Sequence, residues 1–128
     1  MELDTVFISR TKTLFGGERF GRFTKALNEE PVVSVRYNSA KMAAPVEGDI
    51  VPWASAGRYL STRPIFTADP CFHAGCYYVQ EASSMFVEQV IRQYVDAPVR
   101  ALDLCAAPGG KTTHLLSLLP EKTQLKKE

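Results

Sequence analysis

The stretch from Pro98 to Thr113, Pro-Val-Arg-Ala-Leu-Asp-Leu-Cys-Ala-Ala-Pro-Gly-Gly-Lys-Thr-Thr, restricts the fold more than any other because its character changes halfway. Val99, Ala101, Leu102 and Leu104 form a short apolar run of the kind that fills a buried strand. Ala106 to Gly110 then offer only small or turn-forming side chains. From Lys111 to Leu119 the spacing of Leu115, Leu116, Leu118 and Leu119 suits a helix, which Pro120 stops. A strand, a small-residue turn and a helix in that order open a nucleotide-binding α/β unit.

A ligand lies against backbone only where side chains are small, and a helix start offers unpaired N–H groups to an anionic or carboxylate-bearing group. Three ligand classes compete for this turn. A nucleoside triphosphate loop, Gly-x-x-x-x-Gly-Lys-Ser/Thr, finds its end in Gly110-Lys111-Thr112, but its first glycine falls on Cys105. The dinucleotide pattern Gly-x-Gly-x-x-Gly is missing, since Gly109 and Gly110 are adjacent. The Asp-x-Gly-x-Gly-x-Gly turn of S-adenosylmethionine-dependent methyltransferases aligns with Asp103, Cys105, Ala107 and Gly109 and keeps every position small.

Asp103-Leu104-Cys105-Ala106-Ala107-Pro108-Gly109-Gly110-Lys111-Thr112 resembles the cofactor motif of the NOL1/NOP2/Sun (RsmB/NOP) family of RNA cytosine-5 methyltransferases. Gly75-Cys76-Tyr77-Tyr78-Val79-Gln80-Glu81-Ala82-Ser83-Ser84 is similar to the family segment just ahead of it, which flanks the cofactor pocket and brings Gln80, Ser83 and Ser84 toward it. The shorter Arg36-x-Asn38-x-x-Lys41 resembles a stretch of the family's small amino-terminal domain, and Val51-Pro52-Trp53, Gly57-x-Tyr59 and Asp69-Pro70 follow the order of its linker.

The resemblance implies an α/β fold, α+β overall: an amino-terminal accessory domain and linker over residues 1–74, then the start of a Rossmann-like domain over 75–128. It implies S-adenosyl-L-methionine as cofactor, held by the backbone of Cys105, Ala106, Ala107, Pro108, Gly109, Gly110 and Lys111. The Lys111 ammonium would meet the cofactor carboxylate or a phosphate. The implied partner is RNA, ribosomal before transfer RNA, contacted by Arg36, Asn38 and Lys41; the structural alternative is that these three order a loop or solvate a strand end.

The implied reaction, methylation at cytosine C5, needs a cysteine thiolate added to C6. The family's cysteines lie in Pro-Cys and Thr-Cys motifs downstream of the cofactor loop, so no catalytic residue is assigned within these 128 residues, and Cys105 is not taken as the nucleophile. The expectation is the amino-terminal part of such an enzyme, inactive alone. The rival from another class is a non-catalytic RNA-binding or assembly module, and a degenerate nucleoside triphosphatase comes third.

Composition agrees with a folded chain: 45% of residues are hydrophobic and the net charge is +1. Without an apolar run near 18 residues or a signal-like start, the chain reads as soluble and cytoplasmic with no membrane contact, and a monomer is expected. Three cysteines cannot form a complete set of disulfides within one chain. Cys71, His73 and Cys76 lack a nearby fourth ligand, so no metal is expected and the cysteines are read as reduced and partly buried.

Elsewhere, Asp4 caps a helix to about Thr13, Gly16-Gly17 breaks it, and Phe20, Phe23 and Leu27 give a second helix, from about Glu18 to Glu29, a core face. Val32 to Tyr37 reads as a strand, and prolines at 45, 52, 64 and 70 keep residues 42–75 to short elements. From about Glu81 to Val95 a helix is expected with Phe86, Val90 and Tyr94 in one apolar row, Val87, Ile91 and Val95 in the next, and Glu88 facing out. It should pack beside the Val99 to Leu104 strand. Glu121 to Glu128 reads as a polar tail without a strand, which leaves that strand without its usual neighbours.

Overall fold

The computed structural model describes residues 3–43 and 48–127. Pro45 and Glu128, both used above, lie outside the described residues. The chain divides into two compact units, Met1–Pro31 and Val32–Glu128.

The first unit is one kinked helix, α1 (Thr5–Asn28). The Asp4 carboxylate accepts from the backbone N–H of Val6 at 2.8 Å and of Phe7 at 3.1 Å, which satisfies two donors that a helix start leaves orphaned. Gly16, at φ 73° and ψ 165°, breaks the helix as expected, because glycine enters that region at little steric cost. The rings of Phe7 and Phe15 meet Phe23 at 6.3 and 5.5 Å between centroids. Phe20 and Phe23 are half-buried, whereas Leu27 is exposed, so the expected core face is only partly used.

The second unit is built on four antiparallel strands in the order β2-β3-β1-β4: β1 (Val33–Tyr37), β2 (Asp49–Ile50), β3 (Gly57–Leu60) and β4 (Tyr77–Val79). The short helix α2 (Pro70–His73), capped by Asp69, precedes β4. β1 lies centrally, with Val35 opposite Arg58 on one side and Val79 on the other. Val51, Ala54, Ala82 and Met85 form the buried core among the described residues, with Trp53 and Tyr59 packed against it. A Cβ at Gly57 would lie 2.8 Å from Met85 Sδ and 2.9 Å from Val51 Cβ, so that strand residue must be glycine. Trp53 is a packing anchor, its indole N–H donating to the Ala82 carbonyl at 2.7 Å. Because β4 pairs with β1, the sheet runs across the expected 74/75 division.

After a 3₁₀ turn at Ala82–Phe86 come α3 (Val87–Tyr94), β5 (Arg100–Asp103), α4 (Gly110–Leu118) and β6 (Gln124–Lys127). Three expectations are corrected. The Glu81 to Val95 helix is regular only over α3, which packs against α4 and the preceding turn. Its Phe86, Val90 and Tyr94 row is 55%, 47% and 73% exposed, while Glu88, expected outward, is 2% exposed, because polar groups rather than an apolar face meet it there. Residues 124–127 form a strand, parallel to β5, with Leu102 opposite Lys126; ladder hydrogen bonds need backbone, not an apolar run. The β5 strand therefore has one neighbour among the described residues.

Candidate cofactor site

The Asp103 carboxylate holds the turn after β5 in shape. It accepts from the Cys105 N–H at 3.0 Å and from the Thr112 hydroxyl at 2.6 Å, and that hydroxyl also lies 3.1 Å from the Ala106 carbonyl. The Thr112 and Cys105 donors, with Lys111 nearby, hold this carboxyl below its ordinary range despite some desolvation. Gly109 sits at φ +105° in the left-handed region at the start of α4. The Ala107–Pro108 peptide is cis.

The β1–β4 sheet clasps the turn from behind. The Tyr78 hydroxyl donates to the Pro108 carbonyl at 3.1 Å, and a Cβ at Gly110 would stand 3.3 Å from the Tyr78 ring. Arg36 is 4% exposed. Its Nε donates to Gln80 Oε1 at 2.9 Å, and its Nη2 to Thr113 Oγ1 at 2.7 Å and the Gly110 carbonyl at 3.4 Å. Burial lowers its pKa, opposed by the charge of Glu88. Gln80 in turn donates to Ser84 Oγ at 3.2 Å.

Cys105 to Lys111 share a groove of about 200 Å³ with Tyr78, Gln80 and Ser84. That is less than the roughly 300–1,000 Å³ that usually encloses a drug-sized ligand, so among the described residues the groove has room for only part of one. Small side chains, the bare backbone at Gly109 and Gly110, and the first-turn N–H groups of α4, which have no i−4 partner, fit the carboxylate-bearing end of a nucleoside cofactor. Ser83 bonds instead to Glu81 Oε1 at 2.7 Å.

The three residues read as RNA-contacting are spent differently. Arg36 is turned inward. Asn38 donates to the Gly75 carbonyl at 3.2 Å and accepts from the Ala40 N–H at 3.2 Å, and Lys41 donates to the Ala74 carbonyl at 2.6 Å. Asn38 and Arg36 line a second cavity, of about 580 Å³, with Ser39, Tyr78 and Ser117. Cys71, Cys76 and Cys105 are unbridged; Cys71 is exposed rather than partly buried, and the Asp69 charge raises its thiol pKa. Among the described residues no group of three or more His, Cys, Asp or Glu is arranged so that it could hold a metal ion.

One buried network escaped the sequence reading. Glu88 accepts from the Ser55 hydroxyl at 2.8 Å, Arg92 Nε at 2.8 Å and His114 Nε2 at 3.1 Å, with Glu88 and His114 only 2% and 1% exposed. His114 Nδ1 has no partner. It ties α3 to α4, the helix that begins at the groove. A glutamate and a histidine on helices 26 residues apart carry no local signal of their meeting.

A family model described as the N-terminal domain of 16S rRNA methyltransferase RsmF matches residues 3–82, and one described as 16S rRNA methyltransferase RsmB/F matches residues 93–127. The chain belongs to the RsmB/RsmF family of rRNA methyltransferases. Among its RsmB/RsmF relatives, a probable ribosomal RNA small subunit methyltransferase B of Synechocystis sp. is 30% identical over 77% of this chain and 24% of its own length. A ribosomal RNA small subunit methyltransferase F of Serratia proteamaculans is 35% identical over 54% of this chain and 15% of its own. The crystal structure of a methyltransferase homolog from Pyrococcus horikoshii superposes with a TM-score of 0.77 at 28% identity, over 98% of this chain and 44% of that one. The chain spans about a quarter or less of these curated relatives.

Proposed function

We propose that this chain is the accessory region and first cofactor-binding unit of an S-adenosylmethionine-dependent rRNA cytosine-C5 methyltransferase of the cytoplasm. The observation that carries the reading is the Asp103-stapled turn, whose small side chains and left-handed Gly109 leave backbone open at the start of α4. When bound, the cofactor supplies the electrophilic methyl group. The chain's own part is to bind and orient: the Cys105 to Lys111 backbone would hold the amino-acid end, the Lys111 ammonium would meet its carboxylate or a nearby phosphate, and Tyr78, Gln80 and Arg36 keep the turn in place. Asn38 lines the second cavity, where RNA would approach, Lys41 is bonded to Ala74 next to its Gly75 wall, and Arg36 acts there as a positioning residue.

The chain alone is proposed to bind cofactor weakly and not to methylate. Cys71 is held as a thiol by Asp69, and neither Cys76 nor Cys105 is hydrogen-bonded to a histidine among the described residues. Calorimetric titration of S-adenosylmethionine and, separately, ATP, with Gly109→Val alongside, tests the reading. Saturable binding of S-adenosylmethionine alone, lost in the variant, is expected; ATP binding instead would return the turn to the triphosphatase class, and RNA binding without either ligand would favour the non-catalytic module.

A further inference from the structure

The cofactor reading leaves the helical unit without a task, yet that unit has a marked charge pattern. α1 carries Arg10, Lys12, Arg19, Arg22 and Lys25, all exposed, against Glu18 as its one acid. Of the other acids of residues 1–31, Asp4, Glu29 and Glu30 lie outside the helix at its two ends, and Glu2 precedes the described residues in the sequence. The segment is neutral as a whole, so the helix body is basic through segregation of charge.

A groove of about 440 Å³ lies within this unit, lined by Phe15, Arg19, Arg22 and Phe23. The Arg19 guanidinium carbon stands 6.0 Å from the centroid of the Phe15 ring, and the residue is exposed, so an anion can reach it. Arg22 meets Glu18 at 3.6 Å with both side chains largely exposed, 73% and 89%. An exposed i,i+4 pair of that kind is weak and screened by salt, so a phosphate can compete for Arg22. Phe15, 39% exposed, supplies an aromatic wall backed edge-on by Phe23. Two arginines beside an accessible ring are what a single nucleic-acid strand uses: cations for its phosphates, a flat apolar face for a base or ribose.

We propose that this groove binds the phosphodiester backbone of unpaired RNA, with Arg19 and Arg22 on phosphates and Phe15 against a base or ribose. The choice of RNA as the polyanion rests on the rRNA methyltransferase reading. An acidic protein surface would satisfy the charges but leave the aromatic wall unused.

The test is fluorescence anisotropy of the full 128-residue chain with a labelled single-stranded RNA 20-mer across a salt series. The double variant Arg19→Gln/Arg22→Gln is compared with a charge-matched control, Arg63→Gln/Lys122→Gln. Circular dichroism confirms that each variant is folded. Each lost phosphate contact on a single strand lowers the salt slope by about 0.7, so the double variant should lose about 1.4 in slope and roughly 25-fold in affinity at 0.1 M salt. The control should lose less than threefold.

Equal losses in both variants, or an unchanged slope in the first, would overturn the proposal, since binding would then follow net charge or another surface. Equal competition by polyglutamate at matched charge would overturn it in favour of an acidic protein partner. Failure of the wild-type chain to bind RNA while it still binds S-adenosylmethionine would sink the groove assignment and leave the methyltransferase reading standing. The converse result would remove the cofactor reading and keep the groove.

Discussion

Arg36 sits in a strand with its guanidinium turned away from solvent, spanning from Gln80 on one side to Thr113 and Gly110 on the other. A charge-assisted hydrogen bond contributes about 1.5–3 kcal/mol, and lysine lacks the planar fork to reach three acceptors. Arg36→Lys should therefore destabilise the second unit by about that much in urea unfolding and weaken cofactor binding, although charge is conserved. At Gly109, φ +105° makes any side chain strained whatever the space around it. Gly109→Ala should cost about 1–2 kcal/mol and lower the thermal midpoint by several degrees. Asp103→Asn keeps the shape but replaces one acceptor oxygen with a donor, so S-adenosylmethionine affinity should fall in the calorimeter even if the fold survives. The glycine and the aspartate were readable from sequence because their backbone and turn chemistry is local. Arg36 was not, since its partners lie 44 to 77 residues away and a strand-end arginine ordinarily faces water.

At the scale of elements, α3 and α4 are joined by the Glu88–His114 pair. Burial works against ionisation of Glu88, but hydrogen bonds from Arg92, Ser55 and His114 outweigh it and hold its pKa below the ordinary value. Burial likewise pulls His114 below 6.5, only partly opposed by the Glu88 bond. Both folded-state pKa values are depressed, so on acidification the unfolded chain takes up protons first. Stability contributed by His114 is present above pH 6.5 and lost as pH falls toward its folded value; that of Glu88 goes below its ordinary 4.5. Urea unfolding at pH 7.5 and pH 5.5 should show wild type losing stability at the lower pH and His114→Asn losing less. Glu88→Ala would leave the buried His114 Nε2–H and the Ser55 hydroxyl without their acceptor, each at a cost of about 1–3 kcal/mol, so it should fall at the upper end of observed single-substitution effects. The amphipathic pattern placed a helix here, longer than the observed α3, and rotated its buried side, because a glutamate in a helical repeat counts as polar until its partners are known.

For the whole molecule, the two units and the two sheet systems differ in how well they are enclosed. β1 is buried at Ser34, Val35 and Arg36 between two strands, whereas β5 exposes Leu102 by 57% and its continuation Leu104 by 71%. Two strands with an open apolar flank are marginal by themselves. Hydrogen exchange should therefore be faster through β5 and β6 than through β1 and β3, and saturating S-adenosylmethionine should slow it most at Cys105 to Thr112. Sequence alone determined the strand–turn–helix unit, the break at Gly16, the Asp4 cap and the family, because each rests on contiguous residues whose turn chemistry, capping or motif spacing is set locally. Tertiary structure decided what Arg36, Glu88 and His114 do, that β4 belongs to the sheet of β1, and that residues 124–127 form a strand. Those outcomes depend on which backbone and side-chain partners arrive from far along the chain, and no local periodicity records such meetings.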